Sequence, residues 1–182
     1  VAFAAYDMGA RFVCRYTKNL TPAEVQAIST AGLMIVSIFE STALRALGGA
    51  AAAYADARKA RLQMEAIGQP VGSGLYATAD FDVTPAQEPD VLTYFTAFKS
   101  ALDGHAKLGV YANGAICQLV LDKGIADYTW LAGGMGMRGS REFLAAGRAT
   151  LARPIKTPAA RLNAAVAAMR WWVNIAARRC IL

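Results

Sequence analysis

Hydrophobic and polar positions in the first 152 residues switch repeatedly between two periods. Short runs that are continuously apolar, or alternate every second residue, read as strands; longer stretches with apolar positions three and four apart read as helices. Val1–Met8 reads as a helix end stopped by Gly9, and Arg11–Tyr16 as a strand. Thr21, Pro22 and Glu24 then mark a helix start: Thr21 suits the N-cap, Pro22 the first helical position, and Glu24 completes a capping box. That helix ends at Gly32, and Leu33–Phe39 reads as a buried strand. Ala50–Ile67 is an Ala-rich helix closed by Gly68, and Gly74–Phe81 is a third strand. Thr84, Pro85 and Gln87 repeat the capping signature and open a helix to about Leu102. Lys107–Tyr111 and Asp127–Ala132 read as strands, with a helix over Ala115–Leu121 between them. Ser140–Ala146 reads as a short helix and Ala149–Ala152 as a sixth strand. Strands alternating with helices through short connections predict an α/β fold with parallel strands, either a doubly wound sheet or a barrel.

Length narrows the choice. A chain of 182 residues, 55% hydrophobic, can bury one core and reads as one domain. A complete (β/α)8 barrel takes about 250 residues, so a barrel here is incomplete. No apolar run reaches the roughly 18 uncharged residues of a membrane span. The chain opens inside a helical pattern without a basic leader or cleavage site, which leaves its compartment open.

Charge changes the picture only once it is located. The net charge is +6, but residues 1–147 hold 12 basic and 13 acidic residues, while residues 148–182 hold seven basic residues and no acid. The body is nearly neutral and gives no reason to expect a nucleic-acid partner. Cys14, Cys117 and Cys180 form no Cys-x-x-Cys pair, and Cys14 and Cys117 read as small buried side chains. His105 is the only histidine and reads as a solvated loop residue. No metal site and no cofactor is expected.

Candidate chemistry gathers at strand ends. The strand period puts Tyr76, Thr78, Asp80 and Asp82 on one face, and Leu75, Ala77, Ala79 and Phe81 on the other. The first face becomes acidic toward the carboxyl end, where open α/β sheets and barrels place their sites. Carboxylates two residues apart have Cα atoms roughly 6.6 Å apart. Like charges that close favour one protonated acid beside one carboxylate, the division of labour that glycoside cleavage requires. Glu40 follows a buried strand in the same way. Arg15 and Tyr16 end the first strand, Tyr111 the fourth, and Trp130 lies near the end of the fifth. The set reads as a cleft in which Asp80, Asp82 and Glu40 act on a bond while Arg15, Tyr111 and Trp130 hold sugar rings. Three plainer readings stand beside it. Asp82 can cap the turn before Thr84, Glu40 can pair with Arg15, and an Asp-x-Asp can equally hold a divalent metal.

Gly134, Gly136 and Gly139 match a G-x-G-x-x-G phosphate loop. A dinucleotide site also expects an acid about 20 residues further on, and no acid follows Glu142. The motif is therefore set aside.

Several segments together resemble a known family. They are Arg11–Tyr16, Lys18–Glu24, Ala31–Val36, Tyr76–Asp82, Gly109–Tyr111 and Tyr128–Ala132. As an ordered set over residues 1–152 they look like the glycoside-hydrolase-like domain of bacterial cell-envelope proteins and phage lysin-type proteins. The resemblance implies a (β/α)8 TIM-barrel-like fold related to the lysozyme-like muramidases, and a peptidoglycan-like glycan partner. It also implies an extracytoplasmic or cell-envelope location. Asp80 and Asp82 fall where those enzymes carry an acidic pair, with Asp82 at the general acid's place. Asp80 would orient or polarise, and Glu40 would be a supporting carboxylate. Two parts of the family pattern are missing: the first strand with its Asp, and an Asp-bearing last strand. Residues 153–182 instead form an atypical basic segment, either packed on the barrel or poorly ordered. Three other outcomes follow: a non-catalytic glycan-binding module, an inactive truncated product that needs an oligomer to complete the barrel, or a metal-dependent hydrolase.

Overall fold

The computed structural model of the chain describes residues 9–152. The expectations for Val1–Met8 and for segment 153–182 lie outside these residues. Six strands alternate with helices: β1 Phe12–Tyr16, α1 Pro22–Thr30, β2 Met34–Phe39, α2 Gly49–Ala66, β3 Gly74–Thr78, α3 Glu88–Leu102, β4 Lys107–Ala112, α4 Gly114–Asp122, β5 Tyr128–Leu131, α5 Ser140–Ala145 and β6 Leu151–Ala152. Local signals account for most boundaries. Thr21 accepts the Glu24 N–H at 3.2 Å with Pro22 just inside the helix, as the sequence predicts. The Glu24 carboxylate does not close the capping box; it pairs with Arg15 at 2.7 Å instead. Before α3, the Thr84 N–H donates to Gln87 Oε1 at 3.0 Å and closes a 3-10 turn over Pro85–Gln87.

All neighbouring strands are parallel and run β1-β2-β3-β4-β5-β6 in chain order. That order decides between the two predicted architectures. Right-handed crossovers that always advance one strand in the same direction leave every helix on one face of the sheet. The result is a singly wound, curled half-barrel. The six described strands are fewer than the eight of a closed (β/α)8 barrel.

Strand register separates two layers. On the helix side, Phe39, Leu75, Ala77, Leu108, Val110 and Leu131 meet the inner faces of α2, α3 and α4 in one continuous core. A smaller cluster of Leu20, Ile28, Leu33, Ile35 and Ile67 seats α1. The opposite face carries Val36, Tyr76 and Leu151, flanked by Phe12, Cys14, Tyr128 and Trp130. This second apolar layer belongs to the concave side. Gly109 makes room in it, because a Cβ there would lie 2.6 Å from the Tyr76 ring.

Cys14 is half-buried in the concave layer and Cys117 is buried under α4. Burial raises their thiols to about 11 and about 12. His105 departs from expectation: it is half-buried in the turn before β4, at the amino-terminal edge of the sheet.

One buried polar group ties the helices together. Asp56 on α2 is 4% exposed and accepts from Arg45 Nε and from the Tyr94 hydroxyl of α3, both at 2.9 Å. Removing the acid strands two partners, one of them a buried phenol. Asp56→Ala is expected to lower unfolding free energy by about 3 kcal/mol, measured by urea denaturation.

Candidate functional site at the carboxyl edge of the sheet

The concave face turns polar at the carboxyl ends of the strands. Register pairs Tyr16 with Ile38, Ile38 with Tyr76, Thr78 with Tyr111, and Tyr111 with Trp130. These residues share one face, and Glu40 and Asp80 continue it one step past β2 and β3. Glu40, Asp80 and Tyr111 all act on the Tyr16 phenol, Glu40 most strongly. The hydrogen bond to Glu40 is the largest cause that holds the Tyr16 phenol up at about 12; desolvation and the charges of Glu40 and Asp80 add to it. Lys18 lies 5.3 Å above the Tyr16 ring and donates to the Glu40 carbonyl oxygen at 3.2 Å.

Aromatic rings wall one side. Trp130 meets Tyr111 edge-on at 5.3 Å and Tyr76 edge-on at 5.8 Å. Trp130 Nε1 and Thr78 Oγ1 are buried with no hydrogen-bond partner among the described residues. A buried polar atom left unpaired costs about 1–3 kcal/mol, and native structures keep few of them.

Two expected residues are placed elsewhere. Arg15 pairs in register with Ser37, on the helix side, and its guanidinium pairs with Glu24 on α1. Neighbouring strand residues point to opposite faces, so Arg15 cannot join Tyr16 in the cleft. Asp82 does not continue the Tyr76–Asp80 face, because β3 ends at Thr78 and the chain bends at Phe81. Asp82 is exposed, and its Oδ1 accepts from Asn113 Nδ2 at 2.8 Å and from the Arg138 backbone N–H at 2.9 Å. It follows Asp80 by two residues on the same edge of the sheet and is fastened to the next two loops.

The glycine-rich loop earns its glycines mechanically. The Ala115 N–H donates to the Arg138 carbonyl at 3.1 Å, and the Gly114 N–H to Ser140 Oγ at 3.2 Å. A Cβ on Gly114 would overlap the Gly139 carbonyl, and one on Gly139 would lie 2.7 Å from the Ala115 nitrogen. Gly139 also holds φ +69°, which favours glycine. The loop therefore packs directly on the start of α4. Arg138 anchors it further, from Nε to the Val83 carbonyl at 3.1 Å and through an ion pair with Glu88.

A singly wound parallel sheet with acids and aromatic rings along its carboxyl edge is the layout used by barrel-type glycosidases. Comparison with known proteins agrees with this class. Residues 4–167 match the Rv2525c-like, glycoside hydrolase-like domain, and the chain belongs to that family. Rv2525c of Mycobacterium tuberculosis, a proposed peptidoglycan hydrolase, is 31% identical over 118 residues, covering 62% of this chain and 48% of that protein. The chain thus spans about half the length of this curated relative. The crystal structure of the Tat-secreted Rv2525c superposes with a TM-score of 0.73 at 24% identity, over 86% of this chain and 83% of that one. An uncharacterized B. stearothermophilus protein gives a TM-score of 0.56 at 21% identity, over 82% of this chain and 71% of that one. The two superpositions share the fold.

Two measurements check the geometry. In Glu40→Gln the Tyr16 phenol should fall from about 12 toward the ordinary value near 10, followed by NMR of ring-labelled tyrosine; no movement would mean the two groups do not touch. Gly139→Ala should cost about 1–3 kcal/mol of stability in thermal or urea unfolding, because it meets both a forced φ and a backbone clash.

Proposed function

We propose that this domain hydrolyses a glycosidic bond in peptidoglycan or a related cell-envelope glycan. One observation carries the reading. Glu40, Asp80 and Tyr111, at the ends of three successive strands, act on the Tyr16 phenol, and Trp130 packs on Tyr111, at the edge where this fold class does its chemistry. Family membership and the name of the mycobacterial relative support the substrate class. The Tat-secreted relative supports a location outside the cytoplasm.

Roles follow from the placement of each group. Asp82 is exposed and firmly held, and acts as the general acid on the leaving oxygen. Asp80 faces the cleft and orients or polarises the sugar, including its acetamido group. Glu40, beside Tyr16, is a supporting carboxylate that faces the oxocarbenium-like centre developing as the bond breaks. Tyr111 and Trp130 hold the ring faces. Arg15, turned toward α1, takes no part in the cleft. The unpaired Thr78 hydroxyl and Trp130 indole N–H add polar groups beneath the same edge.

The purified chain, incubated with insoluble peptidoglycan, should release soluble saccharide fragments detected by mass spectrometry. Asp82→Asn should lower kcat by about 10²–10⁴-fold, and Asp80→Asn should reduce it as well, with glycan binding retained in both. Tight binding by the wild-type chain without any released fragment would replace the hydrolase with a glycan-binding module.

A further inference from the structure

Asn113 is fully buried at the junction of β4 and α4, and both its N–H donors and its amide oxygen are hydrogen-bonded. Its Oδ1 accepts the Ile116 N–H at 3.1 Å and so caps α4. Its Nδ2 donates to Asp82 Oδ1 at 2.8 Å and to the Val83 carbonyl at 3.1 Å. The amide cannot be reversed. A flipped side chain would set its oxygen against two acceptors and its NH2 against the Ile116 N–H. The helix cap therefore dictates that Asn113 presents an N–H, never an oxygen, to Asp82.

The second donor to the same oxygen is the Arg138 backbone N–H at 2.9 Å. That nitrogen is held in place by its own side chain, through Val83 and Glu88, and by the contact of the glycine loop with α4. Two rigid N–H groups thus converge on Oδ1. Among the described residues no hydrogen bond reaches Oδ2. A proton placed on Oδ1 would face two donors, whereas a proton on Oδ2 faces none.

We propose that Asn113 and the Arg138 backbone amide are positioning groups for Asp82, occupying Oδ1 so that Oδ2 carries and delivers the proton. The inference rests on the general-acid role given to Asp82 above. In the step it describes, the Oδ2–H proton passes to the glycosidic oxygen as the bond from that oxygen to the anomeric carbon breaks. The bonding pair leaves with the oxygen, and the acetamido oxygen of the same sugar bonds to the anomeric carbon. Water then opens the ring so formed to complete hydrolysis. Asp82 is left as a carboxylate after the first step. The new charge is met at once by the two N–H groups on Oδ1, already in place before the reaction.

The test separates this arrangement from a merely structural role. Asn113→Ser keeps an oxygen able to cap α4 but takes away the amide Nδ2 that donates to Asp82 and to the Val83 carbonyl. On peptidoglycan, whose sugar leaving group needs a proton, kcat should fall about tenfold or more with KM within about twofold. On a dinitrophenyl glycoside of the same sugar, whose leaving group needs no proton, kcat should stay within about twofold. Equal losses on both substrates, or no loss on either, would overturn the proposal. A second measurement does not depend on turnover. In NMR spectra the Arg138 backbone amide and the Asn113 side-chain amide should move together when Asp82→Ala removes the acceptor they share. Amides that stay still, or move separately, would overturn the clamp. Amides that move together in a chain that cleaves neither substrate would leave Asp82 held as described, while removing the hydrolase reading and proton delivery with it.

Discussion

Each parallel crossover in this sheet advances by one strand in one direction, and almost everything else depends on that. Right-handed connections of this kind place all helices on the convex side and all strand carboxyl ends along one edge. Strand alternation then sorts residues with no further choice. Leu75 and Ala77 go to the helices, while Tyr76, Thr78 and Asp80 go to the concave side. Acids widely separated in sequence, such as Glu40 and Asp80, become neighbours because β2 and β3 are neighbours in register.

The two layers have different tasks. The convex layer is a dense apolar core stiffened by one buried polar knot, Asp56 with Arg45 and Tyr94. The concave layer is thinner and aromatic, and supports the polar edge from beneath. Tyr76 lies flat over Gly109 and braces Trp130, which in turn braces Tyr111. The aromatic rings of the site are thus mounted on the strands, while its carboxylates, Glu40, Asp80 and Asp82, stand on the loops just beyond them.

Much of this was legible in the sequence, for local reasons. The Thr21–Pro22 helix start is a property of adjacent residues, and the alternation through Tyr76 and Asp80 holds while β3 remains paired. Backbone pairing runs one residue past β3, through the Ala79 N–H and the Tyr111 carbonyl, and the alternation carries to Asp80; it fails at Asp82 because the chain bends at Phe81. Arg15 was the opposite case. It adjoins Tyr16, so only one of the two could face the cleft, and the alternation rule already available pointed to Tyr16. Asn113 before Gly114 carried a readable cap signal, but its second bond, to Asp82 thirty-one residues earlier in the chain, depends on tertiary contact. The same holds for Gly139. Its spacing within the motif suggested phosphate, while its use is to let two backbones touch.

The two layers, with Cys14 in the concave one and Cys117 in the helix-side core, also carry a consequence for the chain's redox chemistry. A thiol reacts with oxidants and disulfides through its thiolate, and burial keeps Cys14 and Cys117 protonated well above neutral pH. Both sulfurs are therefore nearly inert toward exchange while the fold is intact. A domain built this way can pass through an oxidising compartment without capturing stray thiols at these two positions, and without needing a disulfide between them to hold its core.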